Sequence, residues 1–125
     1  MSDRKRVLAI DDNPVQLTLF HNILGHKYDL FTANSATNAL KFMNESKADV
    51  ILLDIEMPNI TGFQFLKEIR TIPSYMLVPI IIVSGKTGQD FYTEARKSSA
   101  ADVLGKPVIP ETLIDSIEKA MAEKS

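Results

Sequence analysis

Three short stretches of this chain are apolar from end to end: residues 7–10 (Val-Leu-Ala-Ile), 50–53 (Val-Ile-Leu-Leu) and 78–83 (Val-Pro-Ile-Ile-Ile-Val). Each is too short for a helix and rich in β-branched side chains, so each reads as a strand. A strand without a polar face must be covered on both sides. Sheets covered on both sides are the parallel ones, with helices packed on each face. Every stretch also stops at a polar residue: Asp11 and Asp12 after the first, Asp54 after the second, Ser84 after the third. Pro79 is tolerated near a strand start, where no backbone donor is needed.

The intervening segments fit helices. Asn13 and Pro14 form a helix start, a capping side chain followed by proline in the first turn. Leu17, Phe20 and Leu24 recur behind it, and Gly25 marks its end. Residues 28–32 (Tyr-Asp-Leu-Phe-Thr) read as a second, more polar strand. Ser35 can cap a second helix in which Ala36, Leu40 and Met43 share a face. Residues 55–60 contain Pro58 and Asn59 and form a loop. Residues 61–72 form a third helix with Phe65, Leu66 and Ile69 inward, stopped by Pro73. A weaker helix covers 89–97, with Phe91 and Ala95 in the core and Tyr92 a candidate surface contact. Residues 101–104 give a short fifth strand, broken by Gly105, Lys106 and Pro107. Pro110 opens a last helix with Leu113, Ile114, Ile117 and Met121 on one face.

Five strands alternating with five helices predict an α/β fold, a five-stranded parallel sheet with helices on both faces. Strands one, three and four are apolar throughout and therefore central. Strands two and five are shorter or more polar and lie at the edges. Right-handed crossovers then favour the order 2-1-3-4-5. The chain reads as one domain, residues 1–125, with a core from about 5 to 121. An eight-stranded barrel would need about 250 residues.

Lys and Arg number 14 against 16 Asp and Glu, a formal net charge of -2. That balance argues against direct binding of nucleic acid, which needs a clustered positive surface. With no cysteine there is neither a disulfide framework nor a thiolate metal site. No apolar run approaches the ~20 residues that span a bilayer, and none follows Met1 to Arg6 as a signal peptide requires. No membrane association and a cytoplasmic location are the expectations. Met1 to Arg6 reads as a solubilising terminus.

In open parallel sheets ligands bind outside the carboxyl ends of the strands, where the strand order reverses. That point lies between strands one and three, and neighbouring strands are about 4.8 Å apart. Asp11, Asp12 and Asp54 would therefore crowd one small site. Their repulsion needs a compensating cation. The candidates are a hard divalent ion with oxygen ligands, typically Mg²⁺, and the ammonium of Lys106 at the end of strand five. Ser84 adds a hydroxyl on the same rim. Singly, these residues read as helix caps, turn residues or solvated charges. Independent caps have no reason to fall at the carboxyl ends of strands one, three, four and five in the pattern acid-acid, acid, hydroxyl, lysine.

As a set, the motifs Val-Leu-Ala-Ile-Asp-Asp-Asn, Asp-Val-Ile-Leu-Leu-Asp-Ile-Glu-Met-Pro-Asn-Ile-Thr-Gly, Pro-Ile-Ile-Ile-Val-Ser-Gly and Gly-Lys-Pro resemble the receiver domain of two-component response regulators, chemotaxis regulators among them. The resemblance covers about residues 5–121 and implies a single flavodoxin-like (βα)5 domain with the same strand order. It implies that Asp54 accepts a phosphoryl group from a histidine kinase or a histidine phosphotransfer protein. Asp12 and Asp54 match direct ligands of Mg²⁺ (or Mn²⁺), Asp11 a ligand through water, and Glu56 a ligand by its backbone carbonyl. Ser84 matches the hydroxyl that turns toward the phosphoryl group, and Lys106 the lysine that pairs with it. Pro107 matches a proline that usually follows a cis bond. The implied protein is no enzyme beyond assisting its own phosphorylation and dephosphorylation. Its output goes to a downstream protein partner or a fused output domain, through the fourth helix, strand five and the last helix.

Two positions depart from or vary within that pattern. The family usually carries Tyr or Phe three residues before the lysine, where this chain has Val103. Glu56 and Lys86 stand near the path of an attacking water, and their opposite charges are expected to pair there. Two other readings compete. A receiver-like module that works without phosphorylation is opposed by the complete set of site residues and kept open by Val103. An Asp-nucleophile phosphohydrolase of the haloacid-dehalogenase kind would want a second Asp where Glu56 stands, and a cap domain. A nucleotide-binding domain lacks its Gly-rich loop after strand one.

Overall fold

The computed structural model describes residues 4–124. Five strands, β1 (Arg6–Ile10), β2 (Asp29–Ala33), β3 (Val50–Leu53), β4 (Ile80–Ser84) and β5 (Asp102–Gly105), form one parallel sheet in the order β2-β1-β3-β4-β5. The helices are α1 (Pro14–Leu24), α2 (Ala36–Glu45), α3 (Gly62–Arg70), α4 (Gln89–Lys97) and α5 (Pro110–Lys124). The expected order and alternation are therefore the observed ones. No helix among the described residues is long and apolar enough to cross a membrane.

Alternate residues of the central strands enter two separate cores, as a period of two requires. Leu8, Ile10, Ile51, Leu53, Ile80 and Ile82 pack with α2, α3 and α4. Val7, Ala9, Val50, Leu52, Ile81 and Val83 pack with α1 and α5. The edge strands are only partly covered, and they carry polar residues within their length, Asp29 and Thr32 in β2 and Asp102 in β5.

Local signals set most of the helix starts. Asn13 caps α1 by accepting from the Val15 amide, with Pro14 in the first turn. Ser35 caps α2. Thr61 and Gln64 form a reciprocal capping box on α3. α4 differs: its cap position is Gly88 at φ 116, with no side-chain cap, and it buries only Phe91 and Ala95. The third helix ends at Arg70, two residues earlier than its sequence pattern. Pro73 does more than stop it, opening a single 3₁₀ turn, Pro73–Tyr75.

Arginine and tyrosine side chains tie the segments that lead into the strands. Arg70 donates to the carbonyls of Tyr75 and Val78 and to both Ser99 oxygens. It thereby joins the end of α3, the approach to β4 and the turn before β5. Tyr75 is fully buried, donates its hydroxyl proton to Ser46 O at 2.7 Å and accepts from the Ala48 amide at 2.9 Å. Met1 to Asp3 of the amino-terminal segment lie outside the described residues. Arg4 and Arg6 do more than solubilise. Arg4 donates to the carbonyls of Gly25 and His26, and Arg6 donates to Lys47 O while stacking over Phe31.

Tyr75→Phe keeps the ring and strands two backbone groups of the α2–β3 connection. Urea unfolding should show a loss of about 1–3 kcal/mol with an unchanged slope.

Candidate functional site

The sheet order brings the ends of β1 and β3 side by side, and the strand hydrogen bonding continues one residue past each. The Asp11 amide donates to Ala33 O and the Asp54 amide to Ile10 O. These bonds fix both backbones, so the two carboxylates are held on one rim. Asp11, Asp12 and Asp54 each offer an oxygen within 4.8 Å of the others. Among the described residues this is the only such group of His, Cys, Asp or Glu. Asp11 and Asp54 are buried and Asp12 is exposed.

Lys106 enters from β5. Its Nζ lies 2.9 Å from Asp11 Oδ2 and 3.6 Å from Asp54 Oδ1. Its amide donates to Ser84 O, which ties the end of β5 to the end of β4. The Lys106–Pro107 peptide bond is cis. Burial alone would lower the Lys106 pKa, but the hydrogen bond to Asp11 and the charges of Asp54 and Asp11 outweigh it and leave the pKa raised. The lysine is therefore a fixed positive charge. Asp54 moves the other way from an ordinary carboxylate. Burial first, and the Asp11 charge second, push its pKa up to about 6, against the pull of the Glu56 amide and Lys106. One ammonium does not neutralise three carboxylates. The donor set is that of a hard divalent cation: clustered carboxylate oxygens, with no nitrogen or sulfur ligand among them.

Two local turns complete the rim. Asp54 Oδ1 accepts from the Glu56 amide at 3.2 Å, and Ser84 Oγ accepts from the Lys86 amide at 3.0 Å. Ser84 as a whole is 2% exposed. Glu56 and Lys86 do not form the expected ion pair. Both are exposed and both line a cleft between the β3–α3 and β4–α4 loops, but no contact within 4.0 Å joins them. The two turns hold the backbones at Glu56 and Lys86 through their amides and leave both side chains without a bond across the cleft.

Val103 is half-buried against the α2–α3–α4 core. At the α3–α4 side of this core, two helices supply a stack of rings. Phe63 of α3 packs on Phe91 of α4 with centroids 5.9 Å apart, and Phe91 packs on Tyr92 at 5.2 Å. Tyr92 is 40% exposed, as a surface contact would be.

Sequence reasoning missed Gly62. A Cβ there would lie 2.5 Å from Ile55 Cα and 2.8 Å from Asp54 O. Its missing side chain lets α3 start directly behind the Asp54 peptide. A glycine at the first position of a capped helix, where it has no intrinsic advantage, was the available signal.

The sequence matches the response regulator receiver domain family over residues 7–118. The chain belongs to this family. Protein PilH of Pseudomonas aeruginosa is 30% identical over 118 residues, covering 94% of this chain and 98% of PilH. The transcriptional regulatory protein ZraR of Escherichia coli is 31% identical over 121 residues, which are 96% of this chain and 27% of ZraR. Among solved structures, the chemotaxis protein CheY4 of Vibrio cholerae superposes with a TM-score of 0.87 at 30% identity, over 94% of this chain and 98% of that one. The receiver domain is a regulatory domain, and its fold here is that of the chemotaxis regulator.

The receiver's raised Asp54 pKa has a signed consequence for the metal-free protein. Asp54 holds its proton more tightly folded, at about 6, than at its ordinary value of 3.8, so its contribution to stability falls as pH rises between those values. In EDTA, Asp54→Asn should be the more stable protein above about pH 7, by roughly 3 kcal/mol, and the gap should close near about pH 3. Urea unfolding of both proteins across this range measures it. A gap independent of pH would place the strain elsewhere.

Proposed function

We propose that this protein is a phosphoacceptor switch, in which Asp54 takes a phosphoryl group from a histidine kinase or a histidine phosphotransfer protein. The observation that carries the reading is the buried Asp54 carboxylate, set against Asp11 and Asp12 and paired with the Lys106 ammonium. Asp54 is the nucleophile. A carboxylate oxygen forms a bond to phosphorus as the phosphorus–nitrogen bond of the donor's phosphohistidine breaks. The imidazole leaves with the bonding pair and takes up a proton, and Asp54 becomes an acyl phosphate.

Transfer of this kind needs positioning and neutralisation of charge on the equatorial oxygens more than it needs acid–base chemistry. Lys106 is already charged and within reach of Asp54, so it can pair with a phosphoryl oxygen without reorganising. The Ser84 hydroxyl, now accepting from Lys86, keeps its proton free to donate to a phosphoryl oxygen. Asp11, Asp12 and Asp54, with the Glu56 carbonyl, would hold Mg²⁺ (or Mn²⁺). That ion supplies the positive charge that Lys106 alone does not. Pro107 fixes the direction in which Lys106 leaves β5.

Phosphorylation would exchange a single negative charge for a larger one with three acceptor oxygens. Lys106 and Ser84 are the groups that respond, and both lead into loops: Lys106 into α5, Ser84 into the uncapped α4. The changed surface would then be read in the cytoplasm by a downstream protein or a fused output domain. The second arrangement is supported by ZraR, of which this chain matches a minor part.

Intact mass after incubation with acetyl phosphate and Mg²⁺ tests the reading. One phosphoryl adduct should form, and Asp54→Asn or added EDTA should abolish it. Lys106→Ala should slow its formation roughly 100-fold. If no adduct forms with acetyl phosphate or with donors that phosphorylate other receivers, the protein is a phosphorylation-independent module.

A further inference from the structure

The sheet has two outer strands, β2 and β5, and they are finished differently. In a parallel pair, alternate residues of an edge strand turn their backbone groups toward the neighbour and the others turn theirs out. Along β2 the Asp29 amide donates to Lys5 O, and Ala33 O accepts from the Asp11 amide, so Asp29, Phe31 and Ala33 face β1. The N–H and C=O of Leu30 and Thr32 therefore point away from the sheet. Among the described residues no hydrogen bond takes up these outward groups.

Open edges recruit other strands, and proteins blunt them with charges, proline, bulges or a cover. β5 is blunted. Asp102 accepts from the Val103 amide at 2.8 Å and from the Ser116 hydroxyl at 2.6 Å, and Lys106 and Pro107 follow the strand at once. β2 has none of these devices after Asp29. Its pairing with β1 is regular along its whole length, and Leu30 to Ala33 hold no charge and no proline. Thr32 is exposed, and Leu30 and Phe31 are half-buried. A groove of about 470 Å³ opens beside the end of the strand, bounded by Leu17 of α1, by Thr32 and Asn34, and by Asn38, Lys41 and Glu45 of α2. Lys41 and Glu45 are exposed, one helical turn apart, and in no ion pair among the described residues.

We propose that β2 pairs antiparallel with β2 of a second copy of this chain, across a two-fold axis at Phe31. The edge is self-complementary in that register. Leu30 of each copy lies opposite Thr32 of the other, and each such pair exchanges both of its N–H···O=C bonds. Every outward group of Leu30 and Thr32 is then used. Phe31 meets its counterpart, and Asp29 lies opposite Ala33, so no like charges face each other. The two α2 helices lie on the same face of the joined sheet and run antiparallel, which sets Lys41 of one copy toward Glu45 of the other. Those charges favour a second copy over an unrelated strand, for which main-chain bonding alone would serve. The paired strand is short, so the dimer is weak and concentration-dependent. Its acidic rims lie at opposite ends of the joined sheet, and both stay open. The proposal goes beyond the phosphoacceptor reading and does not depend on phosphorylation of Asp54.

Sedimentation equilibrium of the full chain from about 10 μM to about 1 mM tests it. A monomer–dimer equilibrium is expected, with concentration-dependent shifts of the Leu30 and Thr32 amides in ¹⁵N spectra. Thr32→Pro removes a donor that does not serve β1, and should weaken the dimer at least about tenfold. Lys41→Glu should weaken it roughly threefold to tenfold, and adding Glu45→Lys to that variant should restore it. Thermal melts check that the variants fold, and the charge swap tests the pairing even where Thr32→Pro does not fold. A monomer at every concentration, a dimer indifferent to Thr32→Pro and Lys41→Glu, or a swap that restores nothing would each overturn the proposal. So would a monomer whose Leu30 and Thr32 amides shift only with an added synthetic peptide of alternating Thr and Val, which would assign the edge to a partner's strand.

Discussion

Three carboxylates within 4.8 Å of one another, two of them buried, repel strongly unless positive charge is supplied. The rest of this end of the molecule answers that constraint. Parallel strands all finish on the same side, so Asp11, Asp54, Ser84 and Lys106 reach one rim. Reversing any of these strands would send its terminal residue to the far end of the sheet. Lys106 starts from the outermost of the four strands and spans to Asp11 at the first. Its backbone is held to Ser84 on the way. The lysine thus balances the acids electrostatically and links the two edges of the pocket mechanically.

The fold was legible because its signals are local and mutually consistent. Unbroken apolar runs marked the central strands, and capping residues at Asn13 and Ser35 marked the first two helix starts. The site was legible because residues at strand ends are placed by topology, with no side-chain detail needed. What failed needed that detail. Glu56 and Lys86 had opposite charges and suitable positions, but both are exposed and no ion pair joins them. Gly62 works through a contact with Ile55 across a loop, which no local pattern encodes. Arg70 and Tyr75 bond to groups that are distant in sequence, and a lone surface-type arginine gives no sign of that.

Val103 is a different kind of case. The substitution was visible in the sequence, but its setting was not. The strand position is filled by a small side chain, and α3 and α4 supply the stack Phe63–Phe91–Tyr92. The partly exposed ring therefore belongs to a helix joined to Ser84 by a short loop, not to the strand beside it. Movement of that loop would reach Tyr92 through the backbone of α4.

The side-chain ties described above share a location. Arg4 binds the turn before β2, Arg6 and Tyr75 the connection before β3, and Arg70 the segments before β4 and β5. All are at the amino ends of the strands, opposite the acids. One end of the sheet is stapled, and the other carries unbalanced charge and an uncapped helix. The molecule is thus built like a tuning fork, clamped at its base. Amide exchange should run as a gradient along each strand, slowest at the stapled end, and motions excited at the acidic rim would spread sideways between loops before they travelled down the sheet.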